Sequence, residues 1–360
     1  TDAPVVDHRE TDWARLFDSI EDTPGVRVAI LNHARDLHSG VRPFAPENHI
    51  ALVGENRHGW PLRFNAMEVI NSGATQTDPL QLCHDWMGLL NRGLAVTPVG
   101  SSDSHDVSRL FVGQGRTYIR TEDRDPGNIN VDDAIASFRQ GRVLVSYGLL
   151  TELTVQGRFR SGDVATDLPA EVDVRVNVRG PEWAQARRVQ LYANGRVIRE
   201  PDISPLPEAD LTPGIKWRGG WTIPRPMHDM HLVAIATGPG IEGWHWRTAK
   251  PYQPMSPDPA TTIFGLSGAV WLDVDGDGPT SARAYAERAI TTAGTDWAKL
   301  LPQLDRFDET IAAQAAHLTG VKSPIPAELT EMLRTASPAT RAGFEEYATA
   351  WRESQISRGR

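Results

Sequence analysis

The sequence predicts a mixed α/β protein in three parts, on three observations. Strand, loop and helix patterns alternate over residues 1–150 at the spacing of parallel βα units. Over 151–280 the signals become those of antiparallel strands and hairpins, and over 281–360 those of helices rich in Ala, Glu, Arg and Leu. The first part admits an open doubly wound sheet or a β/α barrel, and the second reads as a β-sandwich.

Each element has a local reason. Residues 12–20 set Trp13, Leu16, Phe17 and Ile20 on one helical side. Residues 26–31 form a largely apolar run, as buried parallel strands do, and 66–70 form a second. Asp78 and Pro79 predict a helix start, Leu80, Cys83, Met87 and Leu90 share one face, and Gly93 ends it. Residues 94–99 are a third strand running into Gly100–His105. Asn130 caps a helix that Gly141 stops, and 142–146 are a strand. In the second part Val172, Val174, Val176 and Val178 alternate with polar residues, and Asn194-Gly195 marks a type I′ hairpin. Residues 231–236 are another strand, whereas 201–226, with several prolines, read as a long loop. Two or three helices are expected after 281.

Composition narrows the function. The 360 residues carry 37 Lys and Arg against 46 Asp and Glu, a net charge of −9, with no basic stripe, which argues against nucleic acid or an anionic membrane as the main partner. No apolar run reaches the roughly 18–20 residues of a membrane-spanning helix. One cysteine, Cys83, excludes an intrachain disulfide and a Cys-rich zinc site and fits a core position. The compartment stays open, with the β module and the tryptophans leaning towards export. The chain opens on Thr1 with no signal-peptide pattern.

The chemistry concentrates where strands end. His33 follows one strand, and Asp103 and His105 follow another. Ligands of parallel α/β folds gather outside the carboxyl ends of strands. In extended backbone, residues i and i+2 point the same way, so Asp103 and His105 can offer an oxygen and an imidazole nitrogen to one point. That donor set suits Zn²⁺, Mn²⁺ or Fe²⁺, and loop hydrogen bonding is the plain alternative.

The segments Asn32-His33-Ala34-Arg35, residues 65–71 and Gly100-Ser101-Ser102-Asp103-Ser104-His105 together resemble the polymerase-and-histidinol-phosphatase (PHP) superfamily of metallohydrolases. Residues 115–120 and 141–148 resemble its carbaryl-hydrolase-like (CehA/McbA) branch. The resemblance implies a distorted β/α PHP barrel with two or three divalent ions at strand carboxyl ends. It implies His33, Asp103 and His105 as metal ligands, with Asp103 able to take a proton from water. The family's first-strand His-x-His is not found among the eleven histidines. Residues 1–150 are therefore expected to be the C-terminal half of the barrel, with a missing N-terminal segment, from the same gene or a separate chain, completing the site.

The expected activity is metal-dependent hydrolysis of a phosphoester, or of an ester, amide or carbamate, in a small-molecule substrate. The alternative is a non-catalytic binding or scaffold protein, with a degenerate PHP half and a Trp-rich β module that takes carbohydrate or protein. Among other polar residues, Glu68 could support a ligand histidine or be a structural carboxylate. Arg35 could hold a substrate anion or pair with Asp36 or Glu68, and His38 and His49 could face the site or solvent. His84 reads as surface, and His228 and His231 face opposite sides of a strand. Asp273, Asp275, Asp277 and Gly278 open like an EF-hand calcium loop, but Ala284 stands where its Glu belongs, so an Asp/Gly turn is favoured. Trp183, Trp217, Trp221, Trp244, Trp246 and Trp271 could form a sugar platform or lie in cores and interfaces.

Overall fold

The computed structural model describes residues 6, 7, 9–36, 42–76, 78–105, 111–122, 124–201, 203, 212–251 and 260–359. His38 lies outside them. Among the described residues the chain is mixed α/β, with eight α-helices and several sheets, none of which closes into a barrel. Among the described residues no helix is long and apolar enough to cross a membrane.

The first part contains α1 (Trp13–Glu21), β1 (Ile30–Leu31), β2 (His49–Ile50), β3 (Glu55–Asn56), β4 (Ala66–Asn71), α2 (Gln81–Arg92), β5 (Thr97–Ser101), β6 (Arg116–Ile119), α3 (Val131–Arg139) and β7 (Val143–Tyr147). Its parallel portion is a three-stranded sheet in the order β1-β4-β5. Asp12 caps α1 through the Ala14 amide, and Asn130 caps α3 through those of Asp132 and Asp133. The first strand is shorter than the apolar run suggested. Before Ile30 the Ala29 amide bonds the Asn65 side chain, and the Ala29 carbonyl takes the amides of Asn65 and Ala66. Helix α2 starts after Leu80, because the Asp78 side chain accepts from the Leu80 amide and forms a turn first. Cys83 is buried in its core-facing side, and His84, expected at the surface, packs its ring against Tyr192. Gly88 lets α2 press on the turn at Ala51–Val53: a Cβ there would stand 1.8 Å from the Ala51 carbonyl oxygen.

The strand expected to extend the parallel units, β7, pairs antiparallel with β6 and with a strand of the second part. The reason is the link that follows it. Gly148, at φ +93°, turns the chain straight from β7 into β8 (Leu150–Val155), so the two strands enter different sheets.

The second part continues with β9 (Phe159–Arg160), β10 (Val164–Ala165), β11 (Glu171–Arg179), β12 (Arg188–Ala193), β13 (Arg196–Arg199), β14 (Ile215–Pro224), β15 (Met230–Pro239), β16 (Thr262–Ser267) and β17 (Val270–Leu272). A four-stranded sheet, β14-β11-β8-β9, faces an eight-stranded one, β10-β17-β15-β16-β7-β6, to which β12 and β13 attach beside β15. Val172, Val174, Val176 and Val178 are all buried in the core between them. Asn194 and Gly195 have positive φ, as a type I′ turn needs. Residues 215–224, expected in a loop, are a strand paired along β11. Gly219 lies opposite Val176, and the Trp217 ring occupies the space its side chain would fill, 2.4 Å from an added Cβ.

Wholly buried His231 on β15 packs its ring against Trp271, and neither ring nitrogen has a hydrogen-bond partner among the described residues. Burial pushes its pKa down to about 3. Because the unfolded chain takes up a proton near the ordinary pKa of about 6.5 and the folded chain does not, stability falls as pH drops from about 6.5 towards 3. This residue alone contributes a slope of up to about 1.4 kcal/mol per pH unit. Urea melts between pH 7 and 4 should show that fall, and His231→Phe should flatten it; an unchanged slope would contradict the assignment.

The third part holds five helices, more than expected: α4 (Ala282–Ala293), α5 (Trp297–Leu304), α6 (Glu309–Leu318), α7 (Ala327–Leu333) and α8 (Pro338–Arg358). Gly294 at φ +68° and the side-chain caps Asp296 and Asp308 break what reads as longer helical text. The buried alanines of α6 face α8 and α4 in one core that also takes Ile50 and Val53 from the first part.

Candidate metal centre at the strand ends

Register brings the expected ligands to one edge of the parallel sheet. Leu31 pairs with Met67, and Asn71 with Ser101, so His33, Asn71 and Asp103 all lie at strand carboxyl ends. Glu68 ties these ends together. Its buried carboxylate accepts from the His33 backbone amide at 2.6 Å and from the Asn71 side chain at 3.2 Å, and its second oxygen takes the Ser101 hydroxyl in a short hydrogen bond. It thus supports the backbone at His33.

His33 and Asp103 share a backbone feature. Their φ values are +31° and +47°, a left-handed conformation that costs a non-glycine residue energy and clusters at functional sites. The Asp103 carbonyl lies 2.8 Å from His105 Nδ1 and accepts its proton in the Nδ1–H tautomer, which leaves the Nε2 lone pair for a ligand. The His105 side chain is 79% exposed, that of Asp103 35%, and between them the Ser104 hydroxyl oxygen is buried without a partner among the described residues. Imidazole nitrogen and carboxylate oxygen are donor types that fit Zn²⁺, Mn²⁺ or Fe²⁺. His33, Asp103 and His105 nevertheless do not bring three ligand atoms within 4.8 Å of one another.

Arg35 and His49 belong to a different cluster. Arg35 bonds Asp85 of α2 through Nε at 2.6 Å and Nη2 at 2.8 Å, and His49 Nε2 lies 3.5 Å from the same carboxylate. Asp85 and His49 are wholly buried, and the His49 ring lies on Phe44 with centroids 4.3 Å apart. Burial opposes the charge on Arg35, but Asp85 outweighs it and raises the pKa. For His49 burial prevails over the pull of Asp85 and holds the pKa at about 4, so the ring is neutral at pH 7. Arg35 therefore pairs with Asp85, a partner absent from the sequence reading, although an aspartate beside Leu82 and Trp86 on an apolar helix face was a visible signal.

The one group among the described residues with its ligand atoms within 4.8 Å of one another is Asp229, Asp273, Asp275 and Asp277. Asp229, immediately before β15, is an addition to the sequence motif. Asp273 accepts from the amides of Gly276 and Gly278, and Asp229 from those of Val274 and Thr280, so these carboxylates fasten the turn between β17 and α4. His228, next to Asp229, lies against Tyr285 and Phe307 with Asp308 at 3.6 Å, well separated in role from buried His231.

The tryptophans do not share one platform. Trp217 and Trp221 stack at the sandwich core, Trp271 meets His231, Trp246 meets Tyr147, and Trp183 and Trp244 flank His245. No protein-family model matches the chain, and neither a curated protein nor a solved structure does. The likeness to PHP enzymes rests on the quoted motifs.

Proposed function

We propose that the carboxyl end of the β1-β4-β5 sheet is the active site of a PHP-type metal-dependent hydrolase, acting on a phosphoester or on an ester, amide or carbamate. The observation that carries this reading is the Glu68 tie: one buried carboxylate fixes the three strand ends that present His33 and the Asp103–His105 pair. His33, Asp103 and His105 would hold the ions. A bound divalent ion would supply Lewis-acid activation of water and of the scissile oxygen.

The chain's own residues do the rest. Glu68 holds the His33 backbone in its left-handed conformation through the amide. The Asp103 carbonyl fixes the His105 tautomer, and the Asp103 carboxylate, one-third exposed, would accept a proton from water. The Arg35–Asp85 pair anchors the loop after β1 to α2 and so acts as a positioning element.

The test is hydrolysis of aryl phosphoesters, aryl esters and aryl carbamates by the chain loaded with Mn²⁺ or Zn²⁺. His105→Ala should lower kcat/KM at least a hundredfold while changing stability little, because the side chain is largely exposed. Turnover unaffected by His105→Ala and by Asp103→Asn would sink the reading.

A further inference from the structure

The four-stranded sheet turns its valine face inward and leaves the other face open. Pairing sets Arg160, Thr154, Arg175 and Gly220 in one row across that open face, and Glu152, Asn177 and Arg218 in the next. Arg179 follows two residues beyond Asn177, about 13 Å along the strand from Arg175 at ~3.3 Å per residue. Two adjoining clefts of about 740 and 550 Å³ run over this surface and share Thr154, Asn177 and Arg179. The smaller one extends to Arg120 and Arg142, beside β6 and β7.

The charge here is opposite to that of the whole molecule. Six arginines and no lysine line the two clefts, in a chain whose net charge is −9. Three carboxylates stand against them, each steadying a guanidinium: Asp173 at 2.8 Å from Arg175, Glu152 at 3.2 Å from Arg179, and Asp163 at 2.5 Å from Arg120. The guanidinium groups of Arg160 and Arg218 have no carboxylate partner among the described residues; the Arg160 backbone amide donates to Asp163, and Arg218 donates to the Thr212 hydroxyl. Gly220, opposite Arg175, brings no side chain to the row.

We propose that this face binds a short acidic oligosaccharide, with its carboxylate or sulfate groups taken by Arg160, Arg175, Arg179 and Arg218. A planar guanidinium offers paired donors that match such oxyanions two at a time. Thr154 and Asn177, between the arginines, can bond sugar hydroxyls. The rows themselves hold no aromatic side chain on which a base could stack; of the aromatic residues lining the clefts, Tyr118 stands apart on β6 and Trp221 packs against the core on the valine side of β14, so no series of stacking rings follows the arginines. A long nucleic acid would also run off the clefts onto a chain of net negative charge. The inference is independent of the strand-end hydrolase site.

The experiment is fluorescence anisotropy on the full chain with four labelled probes: a galacturonate tetramer, a heparin-derived tetrasaccharide, neutral maltotetraose, and an oligothymidylate of matched charge. At least one acidic sugar should bind, more weakly in high salt, and maltotetraose should not; which acidic probe binds separates carboxylate from sulfate recognition. Arg175→Ala with Arg179→Ala, and separately Arg218→Gln, should each weaken binding at least tenfold. Arg218→Gln removes no ion pair, so it serves if the double variant misfolds. The proposal is overturned if neither acidic sugar binds at millimolar concentration, if the variants bind as the parent does, or if the oligothymidylate binds more tightly than both sugars.

Discussion

Replacing Asp85 with alanine is expected to cost about 3–5 kcal/mol of stability, the range for removing one partner of a buried ion pair. Asp85 has no exposure, and its two oxygens take both hydrogen bonds of the Arg35 guanidinium. Without it the buried cation keeps only the weaker pull of Asp78 and Glu47, and the His49 ring beside Asp85 is neutral. The effect belongs to the orphaned charge and not to the pair as such. Arg35→Met combined with Asp85→Leu should therefore recover most of the loss, since exchanging a buried pair for apolar groups is often neutral or better. Urea unfolding of the two variants decides the matter. A loss below about 1 kcal/mol in Asp85→Ala would mean that water reaches the cluster.

Val176→Asp is expected to unfold the sandwich or cost at least about 4 kcal/mol, because it places a carboxylate in an apolar core with no partner. Val176 is 2% exposed, sits at the centre of β11, and is paired on one side with Leu153 and on the other with Gly219 beneath the Trp217 ring. Asn177→Asp, one residue on and on the open face, should change stability far less. Melting near the parent temperature for both variants would show that the alternation does not set the core. The contrast between neighbours matters more than either value, since it isolates the face of the strand from its position in the chain.

How far the sequence could be read depended on whether the signal was local. The valine alternation, the Asn194-Gly195 hairpin and the Asn130 cap depend on neighbours in sequence, and each lies where those residues point. The open β7 pairing was illegible, because an apolar five-residue run reads alike in a parallel or an antiparallel sheet, and only the turn at Gly148 decides which. Strand β14 was hidden by its Gly219-Gly220 pair, which reads as a loop until the Trp217 ring is seen lying over it. In the candidate site, the strand-end positions of His33, Asp103 and His105 followed from the pattern. The partners that matter most, Glu68 to the His33 amide and Asp85 to Arg35, span 35 and 50 residues and leave no trace in local spacing. Asp229 joined the Asp273–Asp277 turn for the same reason, through pairing of β15 with β17.

If the proposed site is right, divalent metal binds at the strand ends through imidazole and carboxylate together. X-ray absorption at the zinc edge, on the chain with one equivalent of Zn²⁺, tests it most directly. Imidazole nitrogen is expected in the first coordination shell at about 2.0–2.1 Å, lost or halved in His33→Ala and His105→Ala and unchanged in Asp275→Ala. A first shell of oxygen alone, insensitive to both histidine variants and abolished by Asp275→Ala, would place the ion in the turn between β17 and α4 and contradict the claim.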